Sequence, residues 1–216
     1  MNYIDKSCRE FVSCVGTKAP VPGGGSVAAL AGALGASLST MVASITVSKK
    51  KSEEEKAEIQ ATIEELLGIQ TALLELVQKD IDNFEPLSKL YSKKAETPEE
   101  KKKIDEEKQK ALYEACLVPL EIVRTCGRAI ELSREVSSKG SKIIIADAAS
   151  SAVLCKAAMQ AASFNIYINT SMLKDKALAK KLNDDCTSRI VYYGALADAV
   201  FGQTTHKLIN TVNETE

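Results

Sequence analysis

The chain has no tryptophan, a single histidine (His206), and aromatic side chains at only 5% of its 216 residues. With one imidazole near the C-terminus, a histidine-ligated metal centre or a Ser-His triad is not expected. An excess of one charge is missing as well: 28 Lys and Arg stand against 29 Asp and Glu, a net charge of −1. Without a basic field or interleaved aromatics, nucleic acid is not an expected partner. The six cysteines (Cys8, Cys14, Cys116, Cys126, Cys155, Cys186) form no CxxC pair and no zinc-ligand spacing. The N-terminus, MNYIDKSCRE, carries no basic-then-apolar signal segment. A reduced, cytoplasmic protein without a bound metal is the expectation.

Strand alternation is nearly absent, and helical periodicity takes its place. A short helix is expected to run to Val15 and stop at Gly16. A helix of small residues follows from Ser26, as its cap, to about Ser48. The next runs from Glu53 to about Ser92, kinked by Pro86. Thr97-Pro98-Glu99-Glu100 is a helix start, with a threonine cap, proline at the first position and glutamate at the third. That helix reaches about Ser138, bends near Pro119 and stops at Gly140. Two more cover about Lys142–Met172 and Asp175–Asn210. Short connections make neighbours antiparallel. The expected fold is therefore all-α: one domain over residues 1–216, an antiparallel bundle of about five long helices plus a short N-terminal one. Helices of about 40 residues would be ~60 Å long, which predicts breaks at the prolines or extension into a partner subunit.

Val27 to Ser48 holds no charge and is long enough to span a bilayer. Ala, Gly, Ser and Thr make up most of it, so its transfer energy is weak and a buried helix is expected instead of a membrane span. Its rows Ala28–Gly32–Ala36 and Ala29–Ala33–Ser37 form flat faces for close helix contact, expected at a subunit interface. Small residues do not account for Gly23-Gly24-Gly25 in succession. That run is neither a Walker loop nor a dinucleotide fingerprint. Free N–H groups there, near a helix start, would suit a carboxylate, a phosphate or a polarised carbonyl.

The helix after it carries an apolar stripe through Ile59, Ile63, Leu66, Leu73, Val77, Phe84 and Leu87, and the same stepping places Gln70 and Asp80 on the stripe. A carboxylate there would need a partner or a proton, and a raised pKa would suit it to proton transfer. The other reading puts Ile81 in the core and Asp80 at the stripe's edge, where it caps or pairs with a lysine. Asp147, between Ile143-Ile144-Ile145 and a small-residue run, reads either as a helix cap or as a carboxylate among apolar walls. Asn165 and Asn169, one helical turn apart, share a helix face; they read either as satisfying each other or the backbone, or as orienting a ligand amide.

The segment PGGGSVAALAGALGA, from Pro22 to Ala36, resembles the formiminotransferase-cyclodeaminase C-terminal family. Asp80 with Phe84, Thr97-Pro98-Glu99-Glu100-Lys101, Val118-Pro119-Leu120, Asp147 and Phe164-Asn165-Ile166-Tyr167-Ile168-Asn169 follow in the family's order. The chain departs from the family pattern at Lys93-Lys94-Ala95, Ser141 and Ala146. The resemblance implies an all-helical homodimer acting on tetrahydrofolate that carries a one-carbon unit between N5 and N10. Either a cyclodeaminase releases ammonia to form 5,10-methenyltetrahydrofolate, or a cyclohydrolase opens that ring with water. Neither reaction needs a cofactor beyond the folate. Asp80 and Asp147 are the expected acid/base or pterin-orienting groups. Pro22, Gly23, Gly24, Gly25, Ser26 and Asn165 are expected to bind substrate, and Lys49 and Lys50 to attract its glutamate tail. A non-catalytic helical interaction protein with the same fold is the alternative of another class.

Overall fold

The computed structural model describes residues 2–47, 51–140 and 144–213; Lys49, Lys50, Ser141 and the expected helix start at Lys142 lie outside them. Among the described residues there is no strand. After a single 3-10 turn, Tyr3–Asp5, come six helices: α1 (Cys8–Val15), α2 (Gly24–Val47), α3 (Glu53–Ser92), α4 (Pro98–Lys139), α5 (Ile145–Ser171) and α6 (Lys176–Asn213).

Local chemistry sets the starts. Ser7 with Glu10 and Ser52 with Glu55 form reciprocal capping boxes ahead of α1 and α3. The Thr97 hydroxyl accepts the Glu100 N–H at 3.2 Å, with Pro98 at the first helical position. α4 ends where the Gly140 N–H donates to the Val136 carbonyl. The prolines do not break their helices. Pro86 is exposed, Pro119 is buried, and α3 and α4 run on through them. α2 begins two residues ahead of expectation, at Gly24, because the Gly23 carbonyl already receives the Val27 N–H. Ser26 is thus inside the first turn and not its cap.

Contacts across the bundle fix its directions. Arg128 on α4 grips Glu65 on α3 through two bonds, and Lys139 reaches Glu58, so α3 and α4 are antiparallel. Tyr167 meets Thr187, and Lys156 meets Asp198, which sets α5 against α6. α2 lies between α3, α4 and α5. A Cβ on Gly32 would come 2.6 Å from the Cys126 sulfur, and one on Gly35 equally close to the Cys155 sulfur. Ala28, Ala29, Ala33 and Ala36 are buried beside them. The two small-residue rows therefore pack inside the chain rather than at the subunit contact expected from sequence.

Polar ties cross the same core. Ser39, Ser133 and Ser151, from α2, α4 and α5, are fully buried and bond one another at 2.8–2.9 Å; Ser151 also donates to the Gly35 carbonyl. All six cysteines are free, and four serve as small core residues. Burial pushes the Cys116 and Cys155 thiols up to about 12. α2 is long and apolar enough to cross a membrane, yet half of its apolar window is buried against the other helices.

Candidate functional site

At the end of the bundle where α2 begins, a cleft of about 170 Å³ opens between α2, α3, α4 and α5. Gly23, Gly24 and Gly25 form one wall, Asp80, Asn83 and Phe84 another, Ala115, Val118 and Pro119 a third, and Asn165, Ile168 and Asn169 the last, with Pro20 and Val21 at the rim. Asp80 is the one ionisable side chain among these lining residues.

The structure takes a part of each sequence reading of Asp80, with Ser26 as its partner in place of a cap or a lysine. Ile81 takes the core position, and Asp80 stands at the edge of the stripe, half-buried, facing the cleft. Its Oδ2 accepts the Ser26 hydroxyl at 2.7 Å. Its carboxyl presses against the glycine turn: a Cβ on Gly25 would lie 2.1 Å from Oδ1. Only a residue without a side chain lets the acid reach the helix start. Burial raises the Asp80 pKa from its ordinary value, and bonds from the Ser26 hydroxyl and backbone amide partly offset that rise. Gly24 and Gly25, in the first turn of α2, have no hydrogen-bond acceptor for their N–H groups among the described residues, as expected for a helix start. The site thus combines a carboxyl of raised pKa with two free backbone donors in a mostly apolar enclosure.

Gly23, Gly24, Gly25, Asp80 and Asn165 meet here as the sequence predicts. Pro22 and Ser26 are buried and do not line the cleft; Ser26 acts on it through Asp80. Asp147 is elsewhere in the chain, in the first turn of α5, 18 residues and so about 27 Å along the helix from Asn165. Asn83, Phe84 and Pro119 join the site without having been singled out for it, and Asn169 joins beside Asn165. Asn169 carried a signal, its one-turn spacing from Asn165; Asn83 carried none.

The formiminotransferase-cyclodeaminase family model matches residues 7–188, most of the chain. The chain belongs to the formiminotransferase-cyclodeaminase family. A methenyltetrahydrofolate cyclohydrolase from Methylorubrum extorquens is 30% identical to this member over 94% of this chain and 98% of its own. The mouse formimidoyltransferase-cyclodeaminase is 28% identical over 93% of this chain but only 37% of its own, so the family member here matches one part of that larger enzyme. Among solved structures, formiminotetrahydrofolate cyclodeaminase from Thermotoga maritima superposes with a TM-score of 0.80 at 26% identity, covering 96% of this chain and 98% of that one. The family fold accordingly extends over nearly the full length.

Proposed function

We propose that the protein is a formiminotetrahydrofolate cyclodeaminase, acting in the cytoplasm without a cofactor beyond the folate itself. The observation that carries this is Asp80, a carboxyl of raised pKa alone among the cleft's side chains in being ionisable. Closing the ring requires N10 to bond to the formimino carbon, N10 to lose its proton, and the carbon–nitrogen bond to ammonia to break. With the formimino group entering as its cation, the proton taken from N10 is the proton the departing nitrogen needs. A single carboxylate can accept it and hand it on, and a raised pKa makes it a better base for that step. The Gly24 and Gly25 N–H groups offer donors for the folate.

A second reading, methenyltetrahydrofolate cyclohydrolase, is favoured by the full-length similarity to the Methylorubrum enzyme. There Asp80 would take a proton from water instead of N10. Methenyltetrahydrofolate absorbs near-ultraviolet light that the other two folates do not. Its appearance from formiminotetrahydrofolate supports the deaminase; its loss alone supports the hydrolase. D80N is expected to lower either rate by about 10²–10⁴-fold, and a wild-type rate in D80N would overturn the assignment.

The active form is proposed to be a homodimer. Val27, Leu34, Met41 and Ile45 leave an exposed, uncharged stripe along α2, and Val153, Phe164 and Ile168 extend it on α5. Phe164 is 70% exposed and Ile168, which also lines the cleft, 59%. Such a face is suited to a second copy of itself. A two-fold axis across its middle would exchange its ends and carry the partner subunit's Asp147 toward the cleft, where it would orient the pterin.

A further inference from the structure

Pro119 lies inside α4 and has no backbone N–H. In an unbroken helix the Ala115 carbonyl would receive the N–H of residue 119; here that bond cannot form. The Asn169 side chain fills the gap from α5, its Nδ2 donating to the Ala115 oxygen at 3.3 Å. A carbonyl accepts and cannot donate, so this bond decides which way round the Asn169 carboxamide lies. The nitrogen is committed to α4, and the oxygen points away from it.

Asn169 is only 5% exposed, yet it lines the cleft. No donor among the described residues reaches its oxygen, and no buried side-chain oxygen is left without a partner. The Asn169 oxygen is therefore open to the cleft. Asn165 differs: it is half-buried, and its amide makes only a long 3.4 Å bond to Ala161 within its own helix. Asn83 is likewise half-buried, its amide donating to the Glu114 carbonyl at a long 3.4 Å, so Asn169 is the deeply buried neutral side-chain acceptor of the cleft, apart from the titrating acceptor Asp80.

We propose that Asn169 is a specificity-determining residue whose carboxamide oxygen accepts a hydrogen bond from an N–H of the bound pterin, and that Pro119 sets its direction by freeing the Ala115 carbonyl. This rests on the folate reading above. An acceptor that cannot protonate or turn selects a ring carrying a donor at that edge, and leaves the proton transfer to Asp80. Pro119 also forms part of the cleft wall; as a positioning residue, its effect on binding runs through Asn169.

Steady-state kinetics with formiminotetrahydrofolate and methenyltetrahydrofolate on wild type, N169A, P119A and the double variant test this, with tetrahydrofolate binding followed by calorimetry. N169A should raise KM about tenfold, the loss of one buried hydrogen bond, with kcat within about threefold of wild type. P119A restores an N–H that competes for the Ala115 carbonyl and releases the carboxamide, so its KM should rise by a smaller factor. The double variant should be no worse than N169A, because both act through one bond. Multiplying KM effects, or an unchanged KM in folded N169A, overturns the proposal. Should N169A fail to fold, P119A still decides: it exchanges proline for a better helix former, and an unchanged KM there overturns the proposal. A wild type that neither binds nor turns over any of these folates overturns the folate reading itself. Activity in wild type with indifference in the variants overturns this inference alone.

Discussion

Ser26 governs the acid without touching the cleft. Its hydroxyl and amide bonds stabilise the charged form of Asp80 against the pull of burial. Removing the hydroxyl in S26A should raise the Asp80 pKa further, since a bond to the ionised form is lost. The fraction present as base then falls at any given pH, and the acid limb of the kcat/KM profile should move toward alkaline pH. A limb that stays put or moves the other way would contradict this role. Stability carries a related signature. A carboxyl whose folded pKa is raised favours folding fully below its unfolded value, and that contribution is lost as pH rises through the folded pKa. D80N should therefore match or exceed wild type in Tm at alkaline pH, measured by calorimetry, while losing turnover.

At the scale of elements, sequence showed most of the helix boundaries because caps and periodicity are local. Thr97-Pro98 and Ser52 with Glu55 act within four residues. It did not show what the small faces of α2 touch, since flatness says only that something comes close. Nor did it show the tie between Ser26 and Asp80, 54 residues apart, or that between Asn169 and Ala115, also 54 apart. Asp80 was visible because it interrupts an apolar stripe; Asn83 was not, because it interrupts nothing. Pro86 and Pro119 were expected to bend α3 and α4, with breaks there or extension into a partner subunit as the alternatives for their length; both helices run on without a break. The serine cluster joining α2, α4 and α5 is an element-scale device of the same hidden kind. S151A removes a donor to the Gly35 carbonyl and a partner from both other serines. Urea denaturation should show a loss of about 1–3 kcal/mol. Ser44, exposed and bonded only within its own helix, provides the comparison: S44A should change stability by less than about 0.5 kcal/mol.

At the scale of the molecule, the cleft and the exposed apolar face share α2 and α5. L34E with M41E places two charges on that face, where Leu34 is 57% exposed and Met41 41% in the single chain. Sedimentation should then report a monomer in place of a dimer, with the helical signal kept. The proposed exchange of ends makes a sharper forecast. D80N and D147N, each impaired alone, should recover about a quarter of wild-type turnover when their subunits are randomly mixed: half of the dimers are then hybrid, and each hybrid has one intact site. Additive residual rates without recovery would place Asp147 outside the site.

The closeness of Gly25 to the Asp80 carboxyl has a historical corollary. A methyl group at position 25 and an acid at position 80 claim the same space. A lineage that abandons the acid frees that volume, and alanine there ceases to be harmful. Descendants that kept the bundle and gave up catalysis should therefore tend to lose the glycine as well, so that its replacement marks lapsed chemistry before any assay is run.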